Sequence, residues 1–261
     1  MIYFFIFLIG TVIGSFLNVV IYRLPEKKSI AKGRSKCPHC RQELKGYDLI
    51  PILSFLILKA KCRNCRKKIS WQYPTVELVT GLLFLFVAYY HQLSGMLSNP
   101  EFFRDIIFVC GLLVIFMTDL KYYLIFDAVT LPLIVFAFVV NIFLMSHAGN
   151  YLDVILGLIL AGFIGGGFFL VQYLASKGKW VGGGDIRIGL LMGFMLGWPK
   201  LLVALFIAYI VGAIISLFLI GFKVKKMKSQ VPFGVFLSVA TFVALFYGGE
   251  IINWYLNLLS V

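Results

Sequence analysis

Long apolar runs make up most of the chain, and one long polar stretch interrupts them. The apolar runs lie at about 1–22, 74–93, 102–118, 124–146, 151–175, 186–197, 200–222 and 232–258. A helix of about 20 apolar residues crosses the ~30 Å hydrocarbon core of a bilayer. The pattern therefore predicts an all-α polytopic membrane protein with about eight transmembrane helices. The run at 186–197 is too short to cross unless it tilts or is partly re-entrant.

The composition agrees with a membrane protein. Hydrophobic residues make up 61% of the chain and charged residues 13%, whereas an average globular protein is roughly 45–50% apolar and about 25% charged. A soluble core of this size could not bury so much apolar surface. The composition excludes a secreted disulfide scaffold, a disordered tail and a typical DNA-binding domain.

The net charge of +13 is concentrated in the polar stretch. Residues 23–68 contain fourteen of the 24 Lys and Arg residues and three acids, so they carry +11 of that charge. A basic loop beside a membrane helix is typical of the cytoplasmic side, while a basic cluster can also bind nucleic acid. No aromatic–basic interleaving or groove-reading motif accompanies these residues. We therefore favour the topological interpretation and expect no nucleic-acid partner.

The distribution of charge also predicts the orientation. The run at 1–22 has no positive residues before it and no small-residue cleavage site, which indicates an uncleaved helix rather than a signal peptide. With the N-terminus outside, 22 of the 24 Lys and Arg residues fall in four cytoplasmic loops, 23–73, 119–127, 176–187 and 223–231. Only Arg104 and Lys200 lie outside, as the positive-inside rule requires. A single span over 106–126 would instead reverse the orientation of everything after it.

Four cysteines form two Cys-x-x-Cys knuckles in the basic stretch. Such knuckles can turn four thiolates toward one tetrahedral zinc ion. Disulfides or redox-active pairs are the alternatives, but a cytoplasmic loop lies in a reducing compartment. We therefore predict a closed, structural zinc site with His39 as a bystander. Its ligands are Cys37, Cys40, Cys62 and Cys65.

A few acids lie at the ends of the apolar runs. An acid deep in a span is a functional candidate because burying its charge is costly, while an acid at a helix end can simply cap the helix. Asp185 follows Gly182, Gly183 and Gly184, which allow close backbone approach and an unusual conformation of the aspartate. Asp119 ends another run at the same membrane face. Two facing carboxylates can act as general base and general acid on a water, so this pair predicts an aspartic peptidase.

The stretch GSFLNVVIYRLP from Gly14 to Pro25 precedes the cysteine knuckles, and the glycines with Asp185 follow far downstream. Together these motifs resemble, along nearly the whole chain, the type IV prepilin peptidases, also called leader peptidases with N-methyltransferase activity, and the first stretch is similar to the N-terminal signature of that family. The segments PILS at 51–54 and YPTVEL at 73–78 are also family-like. Gly182-Gly183-Gly184-Asp185 matches the G-x-G-D motif that names the catalytic class, and Asp119 matches the first catalytic aspartate. Phe126-Asp127 departs from the Pro-Asp that is common in the family.

The resemblance implies a function. Members of this family remove the short basic leader of prepilin or pseudopilin precursors, cutting after a Gly at the cytoplasmic face of the bacterial inner membrane. They often then methylate the new N-terminal amine with S-adenosylmethionine. The implied partners are the precursor helices and membrane lipid, and the implied catalytic residues are Asp119 and Asp185. Glu77 is a candidate for substrate recognition or methyl transfer, and a helix-end acid is the alternative.

These expectations divide the chain into three regions. Residues 1–22 are predicted to form the first transmembrane helix. Residues 23–73 form the cytoplasmic, basic, zinc-ribbon-like four-cysteine loop, a candidate methyltransferase region. Residues 74–261 form the transmembrane aspartic peptidase domain.

Three other functions stay open at this point. A presenilin-like protease that cuts within membrane helices also uses G-x-G-D, but the N-terminal signature and the cysteine loop disfavour it. An ion-coupled transporter would predict an inverted repeat, and we see no internal repeat. A membrane-anchored zinc-ribbon adaptor would make the acids incidental.

Overall fold

Helices account for most of the computed structural model, which describes residues 1–93, 100–145, 151–222 and 231–259. Within these residues the chain forms no extended strand, and two isolated β-bridges in the cysteine loop are its only β-type pairings. The elements are α1 (Ile2–Arg23), a 3-10 turn (Gly46–Leu49), α2 (Leu53–Ile57), α3 (Gln72–Leu93), α4 (Pro100–Tyr122), α5 (Asp127–Met145), α6 (Tyr151–Ser176), α7 (Gly183–Leu196), α8 (Lys200–Gly221) and α9 (Phe233–Leu259).

The all-helical membrane fold predicted from the sequence is confirmed. Among the described residues, six helices are long and apolar enough to cross a bilayer, namely α1, α3, α5, α6, α8 and α9. The other two predicted spans correspond to α4, which carries charges at both ends, and to α7. The 14 residues of α7 extend only about 21 Å at 1.5 Å per residue, less than the ~30 Å core.

The polar break between α4 and α5 separates two helices. Tyr123 adopts a left-handed conformation with φ 56°, and its N–H donates to the carbonyl oxygen of Asp119 at 2.9 Å. A left-handed residue ends a right-handed helix. A single span over 106–126 is therefore wrong: the predicted break between two helices is present, although α4 ends four residues later and α5 begins three residues later than the predicted runs.

The chain divides into two compact units, Met1–Cys110 and Gly111–Val261, with the boundary inside α4. In the first unit α1 and α3 lie side by side and antiparallel. A Cβ added to Gly10 would lie 2.8 Å from the Cα of Gly81, and one added to Gly14 would lie 2.8 Å from the Cα of Glu77. Small residues let helices in a membrane approach this closely.

Helix α7 is the centre of the second unit, because it packs against α5, α6, α8 and α9. Gly189 and Gly193 bring its backbone against the backbone of α6, where any side chain would collide with carbonyl oxygens. At the far end of α7, the Asn141 side chain donates to the carbonyl oxygen of Phe194 at 2.6 Å. The helix is thus held along its length as well as at its end.

Four helix termini meet at one end of the second unit. They are the C-terminus of α4 and the N-termini of α5, α7 and α9, and contacts of Asp119, Ile125 and Arg187 join them. Lys121 and Arg187 lie at this end. The lysines predicted to mark the same face at 223–228 lie outside the described residues.

Candidate active site

Asp185 lies in the first turn of α7 and is buried, with 6% of its surface exposed. Its Oδ2 accepts a hydrogen bond from the Gly182 N–H at 2.8 Å, and its own N–H donates to the Gly182 carbonyl oxygen at 3.1 Å. The first N–H groups of a helix have no partner within the helix, and an acid at this position satisfies one of them. The carboxylate is therefore held by the start of its own helix.

Asp119 lies one turn from the end of α4 and is equally buried, with 5% exposed. Its Oδ2 accepts a hydrogen bond from the Val235 N–H at 3.2 Å, and the Gly234 N–H also points at the carboxyl group. These two N–H groups belong to the first turn of α9, where the helix dipole favours a negative charge. Asp119 is thus held by a helix that begins more than a hundred residues later.

Gly234 connects the two aspartates. A Cβ at this position would lie 2.9 Å from Asp119 Oδ2 and 3.2 Å from Ile188 Cδ1. Ile188 lies less than one turn after Asp185 on α7. The charge of Asp119 also acts on Asp185. The structure therefore brings the two candidate carboxylates to one place, as their motifs predict.

The three glycines before Asp185 have different roles. A Cβ on Gly184 would lie 2.7 Å from the side chain of Ile125, in the connection between α4 and α5, whereas one on Gly183 would meet nothing within 4 Å. Gly182 has φ −81°, and a Cβ there would touch Asp185 Oδ2 at an ordinary 3.6 Å. The unusual conformation expected for Asp185 is absent, because it lies in a regular first turn. Close approach at Gly184 remains as the steric reason for a glycine.

Asp127 lies apart from this pair of carboxylates. It begins α5, is exposed, and forms an ion pair with Arg187 of α7. Both side chains of this pair are more than 40% exposed, where an ion pair contributes little to stability. The pair joins two of the four helix termini that surround Asp119 and Asp185.

The four cysteines of the basic loop come together as predicted. Their sulfur atoms all lie within 4.8 Å of one another, and Cys37 Sγ lies 3.9 Å from Cys65 Sγ. With Zn–S bonds of about 2.3 Å, the edge of a tetrahedral sulfur site is about 3.8 Å. Backbone N–H groups of Cys65 and Asn64 lower the pKa of the Cys62 thiol to about 7, whereas burial and the three other cysteine side chains raise the pKa of the Cys40 thiol to about 11. The cluster fits a tetrahedral metal ion, and His39 is exposed beside it.

The two cysteine knuckles have the same local backbone structure. In each knuckle the N–H of the first cysteine donates to the carbonyl oxygen five residues later, Cys37 to Gln42 at 3.0 Å and Cys62 to Lys67 at 2.9 Å. Arg41 and Arg66 follow the second cysteines and both have φ 58°. The pattern Lys-Cys-x-x-Cys-Arg occurs twice in the sequence, at 36–41 and 61–66. This shared pattern accounts for the shared local structure of the two knuckles.

Glu77 lies inside the first unit, on α3 against α1, and is 7% exposed. Its Oε2 accepts a hydrogen bond from the N–H of Ile52 at 2.8 Å, and the Ser15 side chain also hydrogen-bonds it. Asn18 of α1 donates from Nδ2 to the Tyr73 carbonyl oxygen at 3.0 Å. Asn18 belongs to the N-terminal motif, and its position as an amide within an apolar run is the sequence signal that indicates a functional role.

Comparison with known proteins agrees with these features. A model described as the bacterial Peptidase A24 N-terminal domain matches residues 8–91, and a model of the type IV leader peptidase family matches residues 106–217. The prepilin leader peptidase/N-methyltransferase of Bacillus subtilis (strain 168) is 32% identical over 253 residues, which cover 97% of each chain. Proteins of the same name from Aeromonas salmonicida and Legionella pneumophila are each 30% identical over 282 residues, covering 97% and 96% of this chain and 93% of theirs.

No solved structure matches the chain. The two family models fall on the two compact units, one ending before Cys110 and the other running through α4 to α8. Identity at this level extends over almost the full length of both proteins. The chain therefore belongs to the type IV leader peptidase family, in the group of bacterial prepilin leader peptidase/N-methyltransferases.

Proposed function

We propose that this protein removes the leader of prepilin or pseudopilin precursors by aspartic-type hydrolysis, cutting after a Gly, and then methylates the new N-terminus. The observation that supports this most directly is the pair of buried carboxylates, Asp119 and Asp185, each oriented by backbone N–H groups at a helix N-terminus. Family membership supports the same reaction. It disfavours a transporter, an adaptor or a presenilin-like protease.

The proposed chemistry uses the two carboxyl groups together. In each one the backbone hydrogen bond is made by Oδ2, so Oδ1 is available for a water or for the other carboxyl group. One carboxylate removes a proton from the water as it attacks the scissile carbonyl, and the other carboxyl group protonates the leaving amine. Helix N-termini stabilise the anionic member of the pair.

The proposed orientation places the N-terminus outside and the active site at the cytoplasmic face of the bacterial inner membrane. The four helix termini around Asp119 and Asp185 border the loops 119–127, 176–187 and 223–231, which contain eight of the 24 Lys and Arg residues. Positive loops remain on the cytoplasmic side. A substrate whose leader is cytoplasmic and whose mature part begins with an apolar helix would present its cleavage site at this depth.

The cysteine cluster is proposed to bind one structural zinc ion, whose four ligands are the Sγ atoms of Cys37, Cys40, Cys62 and Cys65. All four tetrahedral positions are then filled by protein, so the ion would stabilise the loop and not bind substrate. S-adenosylmethionine is proposed as the methyl donor when bound.

Metal analysis of the purified protein is expected to give about one zinc ion per chain. The Cys37→Ser variant should hold at least about tenfold less zinc and should expose the loop to protease, because the apo loop has little hydrophobic core. Cys110→Ser is the matched control, since Cys110 lies in α4 away from the cluster. A metal-free wild-type protein with a protected loop would contradict the zinc assignment.

Gly184→Ala is expected to reduce leader removal by about ten- to a hundredfold, because a Cβ at 2.7 Å from Ile125 must displace the start of α7 and small displacements of catalytic groups are costly. Gly182→Ala is the matched control, since its Cβ would lie 3.6 Å from the nearest atom. Rates can be read from a gel-shift assay on a co-purified precursor. An equal loss of leader removal in Gly184→Ala and Gly182→Ala would show that steric contact with Ile125 does not cause the loss of activity.

The whole function is tested by co-expressing candidate precursors with this protein in cells that lack their own peptidase. The N-terminal mass of the product reports both steps: removal of the leader after Gly, and the added mass of one methyl group. Precursors that keep their leaders would refute the peptidase, and cleaved but unmethylated products would refute the second activity.

A further inference from the structure

Resting on the function proposed above, we propose that Glu77 and Asn18 form the binding site for the primary amine that is methylated, the new N-terminus of the cleaved substrate. Both residues lie in the first compact unit, on the facing surfaces of α1 and α3. The aspartate pair lies in the second unit, so the two reactions would use separate side chains.

The carboxylate of Glu77 is buried and has no ion-pair partner among the described residues. The Ile52 N–H and the Ser15 side chain hydrogen-bond this carboxylate, but neither carries a charge, and a buried charge is most strongly stabilised by an opposite one. Arg23, the basic residue of α1, cannot supply the missing charge, because its guanidinium donates to the carbonyl oxygens of Ser29, Lys32, Gly33 and Arg34. A cationic or amine ligand would complete this site.

Asn18 provides a second acceptor nearby. Its Nδ2 donates to Tyr73 O, which assigns Oδ1 as the other atom, and buried Oδ1 has no hydrogen-bond partner in the part of the chain that the structure describes. Tyr73 lies one turn before Glu77 on α3, and Asn18 lies one turn after Gly14, which touches the Glu77 backbone. A buried polar atom without a partner is rare in folded proteins and indicates a place where a ligand or a water can bind.

The Ile52 backbone further indicates a site that is held in place for a ligand. Ile52 has φ 62°, a conformation that β-branched residues rarely adopt, and in this conformation its N–H donates to Glu77 Oε2. Strained backbone of this kind is retained where surrounding contacts fix it, commonly at ligand sites. The contact fixes the orientation of the Glu77 carboxyl group.

The available groups accept hydrogen bonds and carry negative charge, which matches an ammonium group with three N–H donors. In the methylation step, the ammonium passes one proton to the Glu77 carboxylate. The neutral amine then forms an N–C bond to the methyl carbon of a sulfonium donor as the C–S bond breaks, and the sulfur leaves as a neutral thioether. Glu77 thus holds the amine and takes up the proton that must be lost before attack.

The test measures binding and product ratio in the full-length protein. Two peptides with the mature N-terminal sequence of a cleaved precursor are titrated, one with a free N-terminal amine and one N-acetylated. In Glu77→Gln, the amide can still accept the Ile52 N–H but carries no charge. We expect this variant to bind the free-amine peptide at least about tenfold more weakly, as for loss of one charged hydrogen bond, with no change for the acetylated peptide.

The ratio of methylated to unmethylated product should also fall at least tenfold in Glu77→Gln and in Asn18→Leu, which removes the unpartnered acceptor. Glu250→Gln is the matched control, because Glu250 is exposed on α9. An unchanged ratio, or equal weakening of both peptides, would overturn the proposal. So would a parallel fall of leader removal and methylation, which would indicate a structural cluster filled by water. A wild-type protein that cleaves no precursor would refute the proposed function, while the contrast between the two peptides would still test the site.

Discussion

Asp119→Asn and Asp185→Asn are each expected to lower the rate of leader removal by at least about a thousandfold, the scale of losing a general acid or base that acts as part of a pair. An asparagine has the same shape as an aspartate, and its Oδ1 can accept the backbone N–H that now binds Asp119 or Asp185. The helix termini should therefore stay in place. What is lost is the acid–base function, because an amide neither takes up nor releases a proton near neutral pH as a carboxyl group does.

The measurement is a single-turnover cleavage assay on a detergent-solubilised precursor, with thermal unfolding of each variant measured alongside. Asp127→Asn is the matched control, because Asp127 is exposed and pairs with Arg187 rather than with the two buried carboxylates. It should keep most of its activity. Cleavage that persists in Asp119→Asn or Asp185→Asn would refute the pair, and complete loss in Asp127→Asn would reassign one of its members.

Local features of the chain were predictable because they depend on neighbouring residues. Apolar runs of about 20 residues predict membrane helices, and the observed bounds of α6, Tyr151–Ser176, match the predicted run at 151–175 within one residue. The cysteine cluster was predictable as well, since two short knuckles specify a site with little help from the rest of the fold. Helix α7 was correctly identified as too short to cross alone.

The surroundings of the site were not predictable, because they depend on contacts between distant residues. Asp119 and Val235 are 116 positions apart, and no periodicity relates the end of α4 to the start of α9. The close approach of Ile125, which leaves no room for a Cβ at Gly184, exists only in the folded chain. The buried amide of Asn18 lies in an apolar run, and its hydrogen bond to the carbonyl oxygen of Tyr73 on α3 cannot be predicted from that run alone. Membrane helices are placed by packing between them, and this information is spread over the whole chain.

Gly234→Ala is expected to reduce the cleavage rate by about a hundredfold, the cost of displacing a catalytic group by roughly 1 Å. The added Cβ would lie 2.9 Å from Asp119 Oδ2 and 3.2 Å from both Asp119 Cγ and Ile188 Cδ1. Either the carboxylate or the start of α9 must move, and the backbone hydrogen bonds that orient Asp119 would lengthen. Gly234 is thus a positioning residue, and the loss should appear in kcat with KM little changed.

Gly249→Ala is the control from the same helix, because a Cβ there would have its nearest neighbour at 4.0 Å. Alanine favours a helix over glycine by about 1 kcal/mol, so neither variant should weaken α9 through helix propensity. A normal kcat in Gly234→Ala would show that Asp119 does not depend on this close approach. A similar fall in Gly249→Ala would show that the effect comes from the helix as a whole. A fall confined to Gly234→Ala would support a role for the start of α9 in the active site, because Gly234 alone of the two approaches Asp119.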